Sequence, residues 1–377
     1  MEGLPGAVRS IRVSRVVVVV IGAGVYGAAV SASLVRRGAR VVVVDGGAPA
    51  SGTSGATFSW TNSCGKQPRV YHDLNVAGME AHRRLAAEVP HGGWYHEGGN
   101  LEWAGTDAES EALRAKVAGV LEYGYAARWV DRAEVLRLEP DLDPAAVPDE
   151  AAFFPREGWI EPAPLVAHLL SSGAEVVRND PVTGLDIEGG TVRAVRLASK
   201  RRLAADAVVN CAGPQAARIA GFAGLSLPMR NTRGVLVYTS PVAVAAARVL
   251  HTPRVDLRPD GAGRLLLHTG RTDGAVRVAE AGEITVEQST VEEVLEAGRA
   301  LYPGLRAATV ESVRVGERPI PGDGLPVLGR APGLPNLHFA VSHSGATLCL
   351  HAGDLVAAEV LGDDQSDTLA PFRFERF

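Results

Sequence analysis

The sequence predicts an α/β fold built around a Rossmann-type dinucleotide-binding unit, with a second domain inserted into it. Three observations predict this. Five valines and an isoleucine run into Gly22-Ala23-Gly24-Val25-Tyr26-Gly27, a helix-compatible stretch follows, and a second valine run closes on Asp45. The strand–turn–helix order returns at residues 337–361. Between these ends the texture changes twice, near residues 91 and 229, to short mixed segments and alternating strands.

The elements follow in order. Residues 15–21 form a β-branched strand of the kind buried on both faces of a parallel sheet. Gly22 allows the tight turn, Gly24 lets a pyrophosphate approach the backbone, and Gly27 lets helix and strand pack closely. The helix over 25–37 stops at Gly38, and its N-terminus, where Val25 and Tyr26 lie, offers unpaired N–H groups to an anion. Residues 40–44 make the second strand. Asp45 then stands at the spacing of the acid that bonds an adenosine ribose, and an acid there argues against NADP. FAD and NAD both use this unit. Residues 46–56 are a small-residue loop and 68–89 an amphipathic helix ended by Pro90. Helical stretches at 106–121 and 131–138 precede Phe-Phe-Pro-Arg-Glu-Gly-Trp-Ile-Glu-Pro-Ala-Pro at 153–164. Strands are expected at 174–177, at 205–211 (ending in Cys211-Ala212-Gly213), and, with alternating character, at 234–238 and 264–267. A strand at 337–341 and a helix from Gly345 close the chain. One α/β domain in three pieces (12–90, 151–228 and 316–377) and a second in two (91–150 and 229–315) account for the alternation.

Composition narrows the class. The 377 residues are 46% hydrophobic and 21% charged with a net charge of −5, enough apolar content for a substantial core. No long run of one charge sign exists, which argues against a nucleic-acid partner. The three lysines, Lys66, Lys116 and Lys200, follow no P-loop pattern. Cys64, Cys211 and Cys349 are isolated, so neither a disulfide framework nor a zinc site is expected, and a cytoplasmic setting is. His91 and His96 beside Glu97 lack further ligands, so no metal site is expected. The uncharged stretch 16–35 has the length of a membrane span, but its break at Gly22-Ala23-Gly24 favours a strand turning into a helix; no membrane insertion is expected. Residues 1–10 lack a secretory layout. The oligomeric state is not legible.

Four segments together resemble the D-amino-acid oxidase-like FAD-dependent oxidoreductases, a superfamily including glycine oxidase, sarcosine oxidase and D-amino-acid dehydrogenase. They are VVVVVIGAGVYGAAVSASLVRRGARVVVVD (16–45), SGTSGATFSW (51–60), ADAVVNCAGPQA (205–216) and ERPIPGDGLPVLGRAPGLPNLHFAVSHSGATL (317–348), in the family's order. Glycine oxidase and its relatives look nearest. The resemblance implies an FAD-binding domain of the glutathione-reductase-like Rossmann type and a substrate domain whose antiparallel sheet roofs the flavin. It also implies that Gly46, Ser51, Gly52, Thr53 and Ser54 wrap the pyrophosphate, and that Val182 pairs with adenine through its backbone. Cys211, Ala212 and Gly213 would line the ligand edge of the sheet. The helix opened by Gly345, Ala346, Thr347 and Leu348 would aim its N-terminus at the flavin, stabilising negative charge.

On the substrate side, Arg318 matches the position that holds the substrate carboxylate, a task suited to a planar guanidinium; the alternative is a loop tie to an acid such as Asp323. Arg254, Asp256 and Arg258 would share one strand face in the roof, where Asp256 either receives a substrate ammonium or pairs with its arginine neighbours. His343 would touch the ring or the substrate, or satisfy backbone groups. The Ser342–Gly345 turn is shorter than in glycine oxidase and lacks a second anchor arginine, and Cys349-Leu350-His351 replaces the usual Ala-Pro. No cysteine lies near Arg318, so FAD is expected to be non-covalent. The expected activity is oxidation of a carbon–nitrogen bond in an amino acid or N-substituted glycine, with dioxygen or another electron acceptor. Oxidation of a 2-hydroxy acid on the same fold, a NAD-dependent dehydrogenase and a flavin module without catalysis are the alternatives.

Overall fold

The computed structural model describes residues 15–278 and 284–377. Residues 1–10, expected to lack a secretory layout, and the start of the first expected domain piece at residue 12 lie outside the described residues.

A six-stranded sheet runs in the order Val327–Ala331, Leu334–Val341, Ala207–Asn210, Val17–Ile21, Arg40–Val44 and Glu175–Val177. All its pairings are parallel except the Val327–Ala331 hairpin. The valine runs are continuous because both faces are covered. Val18, Val20, Val41 and Val43 pack under helices, while Val19, Ile21, Val42 and Val44 pack against a three-stranded antiparallel layer that includes Val182, Leu185 and Val195. Each buried valine contributes about 1.5–3 kcal/mol. The expected helix appears as Val25–Arg36, broken from the preceding strand at Gly22. Among the described residues no helix is long and apolar enough to cross a membrane.

Small residues decide how the helices approach. A Cβ on Gly353 would sit 3.1 Å from the Ala29 Cβ, so Gly345–Val360 lies directly on Val25–Arg36. Both helices start at the same sheet edge, where a Cβ on Gly345 would come 3.4 Å from the Tyr26 ring. The three cysteines are free and buried.

An eight-stranded sheet takes its strands from residues 100–154 and 232–318, in the order Val310–Arg318, Thr232–Thr239, Leu265–His268, Asp256–Pro259, Val249–His251, Asn100–Glu102, Glu150–Phe154 and Arg128–Asp131. One face is apolar: Leu101, Val235, Val237, Leu250, Leu257 and Leu267 pack with Val291, Val294 and Leu295 of helix Gln288–Leu301. The other face carries a polar row set by register, in which Glu102, His251, Asp256 and His268 stand opposite one another on successive strands. On this sheet membership we propose the two-domain division stated above, with strands Glu150–Phe154 and Val310–Arg318 bridging its boundaries.

Candidate active site

A groove of about 500 Å³ opens where the two helices begin. Its walls are Gly22, Gly24, Val25 and Tyr26; Asp45, Gly46, Ser51, Gly52, Thr53 and Ser54; Val182; Cys211, Ala212 and Gly213; and His343, Gly345 and Ala346. Gly22 adopts a φ of 107°, and a Cβ there would strike the Cys211 carbonyl. A Cβ on Gly27 would collide with the Gly22 carbonyl oxygen, so Gly27 lies behind the wall and sets the packing of helix on loop.

Asp45 does more than face the groove. Its carboxylate accepts the Ala23 N–H at 2.6 Å and the Gly47 N–H at 2.7 Å, fixing both turns, and spare lone pairs remain. Ser54 Oγ accepts the Val25 N–H at 3.1 Å. Thr53 lines the groove, and its hydroxyl donates to the Glu317 carbonyl at 2.6 Å, which ties the loop to the roof. Burial pushes the Cys211 thiol far up in pKa, which suits an apolar filler.

Two expected cofactor contacts are corrected. The Thr347 and Leu348 N–H groups both donate to the Ser344 carbonyl, at 3.0 and 2.9 Å. The Thr347 side chain accepts from the Asn62 N–H at 3.2 Å, and Leu348 is in the core. The helix turns them inward, leaving the N–H groups of Gly345 and Ala346 to face the groove. Tyr26 and Tyr71 hold this turn from either side through 2.8 and 2.7 Å bonds to Ser342 and Ser344. The residues present fit FAD: two helix N-termini share one groove, and at Gly24, where a Cβ would come 2.9 Å from Ser54 Oγ, the bare backbone faces that groove.

Arg318 ends strand Val310–Arg318 and lies across Gly234, where a Cβ would collide with the guanidinium. Its Nη1 donates to Asp273 Oδ2 at 2.7 Å and to the Arg233 carbonyl at 3.1 Å. Its Nη2 lies 3.2 Å from His268 Nε2; the neighbouring Nδ1 sits 3.0 Å from the Val235 carbonyl, a pattern that assigns the proton to Nδ1. Among the described residues Nε and one Nη2 hydrogen have no partner. The tie to Asp323 does not form. Asp323 pairs with Arg376 at 2.6 Å, and Asp273 is the acid that holds Arg318.

The expected three-residue charged face is also corrected. The strand begins at Asp256, so Arg254 falls outside it and is exposed. Arg258 is buried, donating from Nε to the Phe58 carbonyl at 2.6 Å with Asp260 alongside at 3.3 Å. Asp256 pairs with neither arginine. Burial first, then Glu102, raise its pKa to about 7. His343 opens onto the groove and is exposed; desolvation, then Lys66 and Arg318, act to lower its pKa. His96 pairs with Glu161 at 3.2 Å and stacks on Trp159.

One residue that sequence reasoning missed is Glu157. Fully buried, it accepts from Trp60 Nε1, the Ser63 and Cys64 N–H groups, Tyr125 Oη and Asn100 Nδ2, at 2.8 to 3.3 Å. It fastens residues 60–64 beneath the roof. Its place in the Phe153–Pro164 segment was the only signal.

A family model described as FAD dependent oxidoreductase matches residues 17–359. Glycine oxidase of Bacillus licheniformis is 25% identical over 374 residues, covering 95% of this chain and 96% of that protein. The crystal structure of glycine oxidase from Geobacillus kaustophilus superposes with a TM-score of 0.82 at 27% identity, over 96% of this chain and 98% of that one. That of iminodiacetate oxidase from Chelativorans sp. BNC1 does so with a TM-score of 0.77 at 26% identity, over 94% and 98%. A match spanning nearly the whole chain, on a groove shaped for a flavin dinucleotide, makes this protein a member of the FAD dependent oxidoreductase family, an enzyme that holds its cofactor without a covalent link.

Proposed function

We propose that the protein oxidises the carbon–nitrogen bond of an amino acid or N-substituted glycine to an imine, which water then hydrolyses, with dioxygen reduced to hydrogen peroxide. The observation that carries this reading is Arg318, whose free Nε and Nη2 hydrogens form a carboxylate fork beside the groove. Bound FAD supplies the two-electron acceptor for the hydride leaving the substrate α-carbon. The rest is the work of the chain. Asp273 and the Arg233 carbonyl fix the guanidinium, so the anchored substrate has little freedom to turn. The Gly345 and Ala346 N–H groups favour negative charge at the groove end. His343, neutral at working pH, can accept a hydrogen bond there without competing for the substrate carboxylate.

The names of the similar glycine and iminodiacetate oxidases support a small amino acid or an N-substituted glycine. Three isolated, buried thiols support a cytoplasmic setting. The test is anaerobic reduction of the yellow holoenzyme by an amine and hydroxy-acid panel, followed by a peroxide assay in air-saturated buffer. Bleaching by amino acids with stoichiometric peroxide is expected. Bleaching by hydroxy acids alone would overturn the reading, and bleaching without peroxide would replace dioxygen by another acceptor.

A further inference from the structure

A second cavity, of about 710 Å³, lies beyond the polar row of the roof, and Asp256 stands in its wall with Glu102, Glu109, Lys116, His251 and Trp103. The other charged side chains in its wall have hydrogen-bond partners. Lys116 Nζ bonds both oxygens of Glu102, at 2.7 and 2.8 Å. Glu109 Oε2 accepts the Gly105 and Thr106 N–H groups at 2.8 and 3.1 Å as part of a helix-capping box. On the far side Arg318 Nη1 pairs with Asp273 Oδ2, while Asp273 Oδ1 has no hydrogen-bond partner among the described residues.

The two histidines flanking Asp256 bring no positive charge. Desolvation and Lys116 lower the pKa of His251 to about 3, and its Nδ1 bonds Asn100 Oδ1 at 2.9 Å. Desolvation also lowers the pKa of His268, whose Nε2 faces Arg318. The Asp256 carboxylate has no hydrogen bond or ion pair among the described residues. Asp256 is half-buried in the cavity wall, and a cation is the partner that stabilises a carboxylate in such a place.

The position of this carboxylate relative to the anchor gives the missing charge a location. Asp256 and His268 are directly paired on neighbouring strands, which in a sheet lie about 4.8 Å from each other. Arg318 reaches His268 from the other side. His268 thus stands between the anchor Arg318 and Asp256 in the cavity wall.

We infer that this cavity is the subsite for a distal ammonium or guanidinium group, held by Asp256, so that the enzyme selects amino acids with a basic side chain. This rests on the amino-acid reading above. The subsite also has a pH signature. Asp256 binds a cation in its ionised form, which grows as pH rises through about 7. Selectivity for a basic side chain therefore rises over that range. Glu102, Lys116, His251, His268, Asp273 and Arg318 surround Asp256, and both histidines have lowered pKa values.

The experiment compares lysine with norleucine, which has the same carbon chain without the amine. Each enantiomer is used to reduce the holoenzyme, in wild type, Asp256→Asn and Asp256→Glu, with FAD content measured in each. Wild type is expected to favour lysine in kcat/KM by about 30-fold or more, the scale of a lost buried charge partner. The ratio should collapse towards unity in Asp256→Asn and survive in Asp256→Glu, and it should climb from pH 6 to 8 in wild type but not in Asp256→Asn. Norleucine preferred by wild type, or an equal loss on both substrates in Asp256→Asn, would overturn the subsite and leave the amino-acid reading standing. Failure of every amine to reduce the flavin would overturn both.

Discussion

The floor and the roof of the active site are built by different means. The floor is backbone: glycines at 22, 24 and 27, two helix N-termini, and loops whose side chains are small. The roof is side chain: Glu102, His251, Asp256, His268 and Arg318 come from five strands of one sheet. A backbone floor can bind a dinucleotide only if its spacing is kept. A side-chain roof can change charge without changing shape, and it is there that we propose specificity resides.

Breaking the floor should have the largest effect. Gly27→Val forces a side chain into the Gly22 carbonyl, and purified protein is expected to be colourless or insoluble; a soluble mutant with full flavin absorbance would contradict the backbone account. Next comes the roof anchor. Arg318→Ala should raise KM for a carboxylate substrate about 30-fold or more with FAD retained, as steady-state kinetics and the visible spectrum would show. Unchanged KM would remove Arg318 from the anchor role. Glu157→Ala joins the two regions, since it leaves five buried donors without an acceptor. A loss of about 3 kcal/mol or more in denaturant unfolding is expected, and a loss below about 1 kcal/mol would refute its fastening role. The smallest effect sharpens the boundary of the roof: Arg254→Ala, at an exposed position outside the strand, should leave stability within about 0.5 kcal/mol and kcat/KM within about twofold.

The same contrast explains what could be read in advance. Glycine spacing, valine runs and Asp45 are local signals, and they located the sheet, the first helix and most of the groove. Thr347 and Leu348 were misassigned because a helix N-terminus exposes only its first N–H groups, and the chain's own Ser344 carbonyl takes the next two. Arg254 was misassigned because the strand starts two residues later than period-two counting assumed. Asp273, which holds Arg318 from 45 residues away, and Glu157, which bonds Ser63 across 94, leave no local pattern at all. Register across a sheet is what creates such contacts, and one sequence does not encode it visibly.

The burial of the three cysteines has a chemical consequence. An oxidase that makes peroxide exposes its own sulfur to an oxidant that attacks the thiolate and scarcely touches the thiol. Cys211 forms part of the groove wall, yet burial keeps it protonated, and burial pushes Cys349 up to about 12 and Cys64 well above its ordinary value. If dioxygen is the acceptor, as we propose, protonated and buried thiols of this kind resist conversion to sulfenic acid by the peroxide formed beside them.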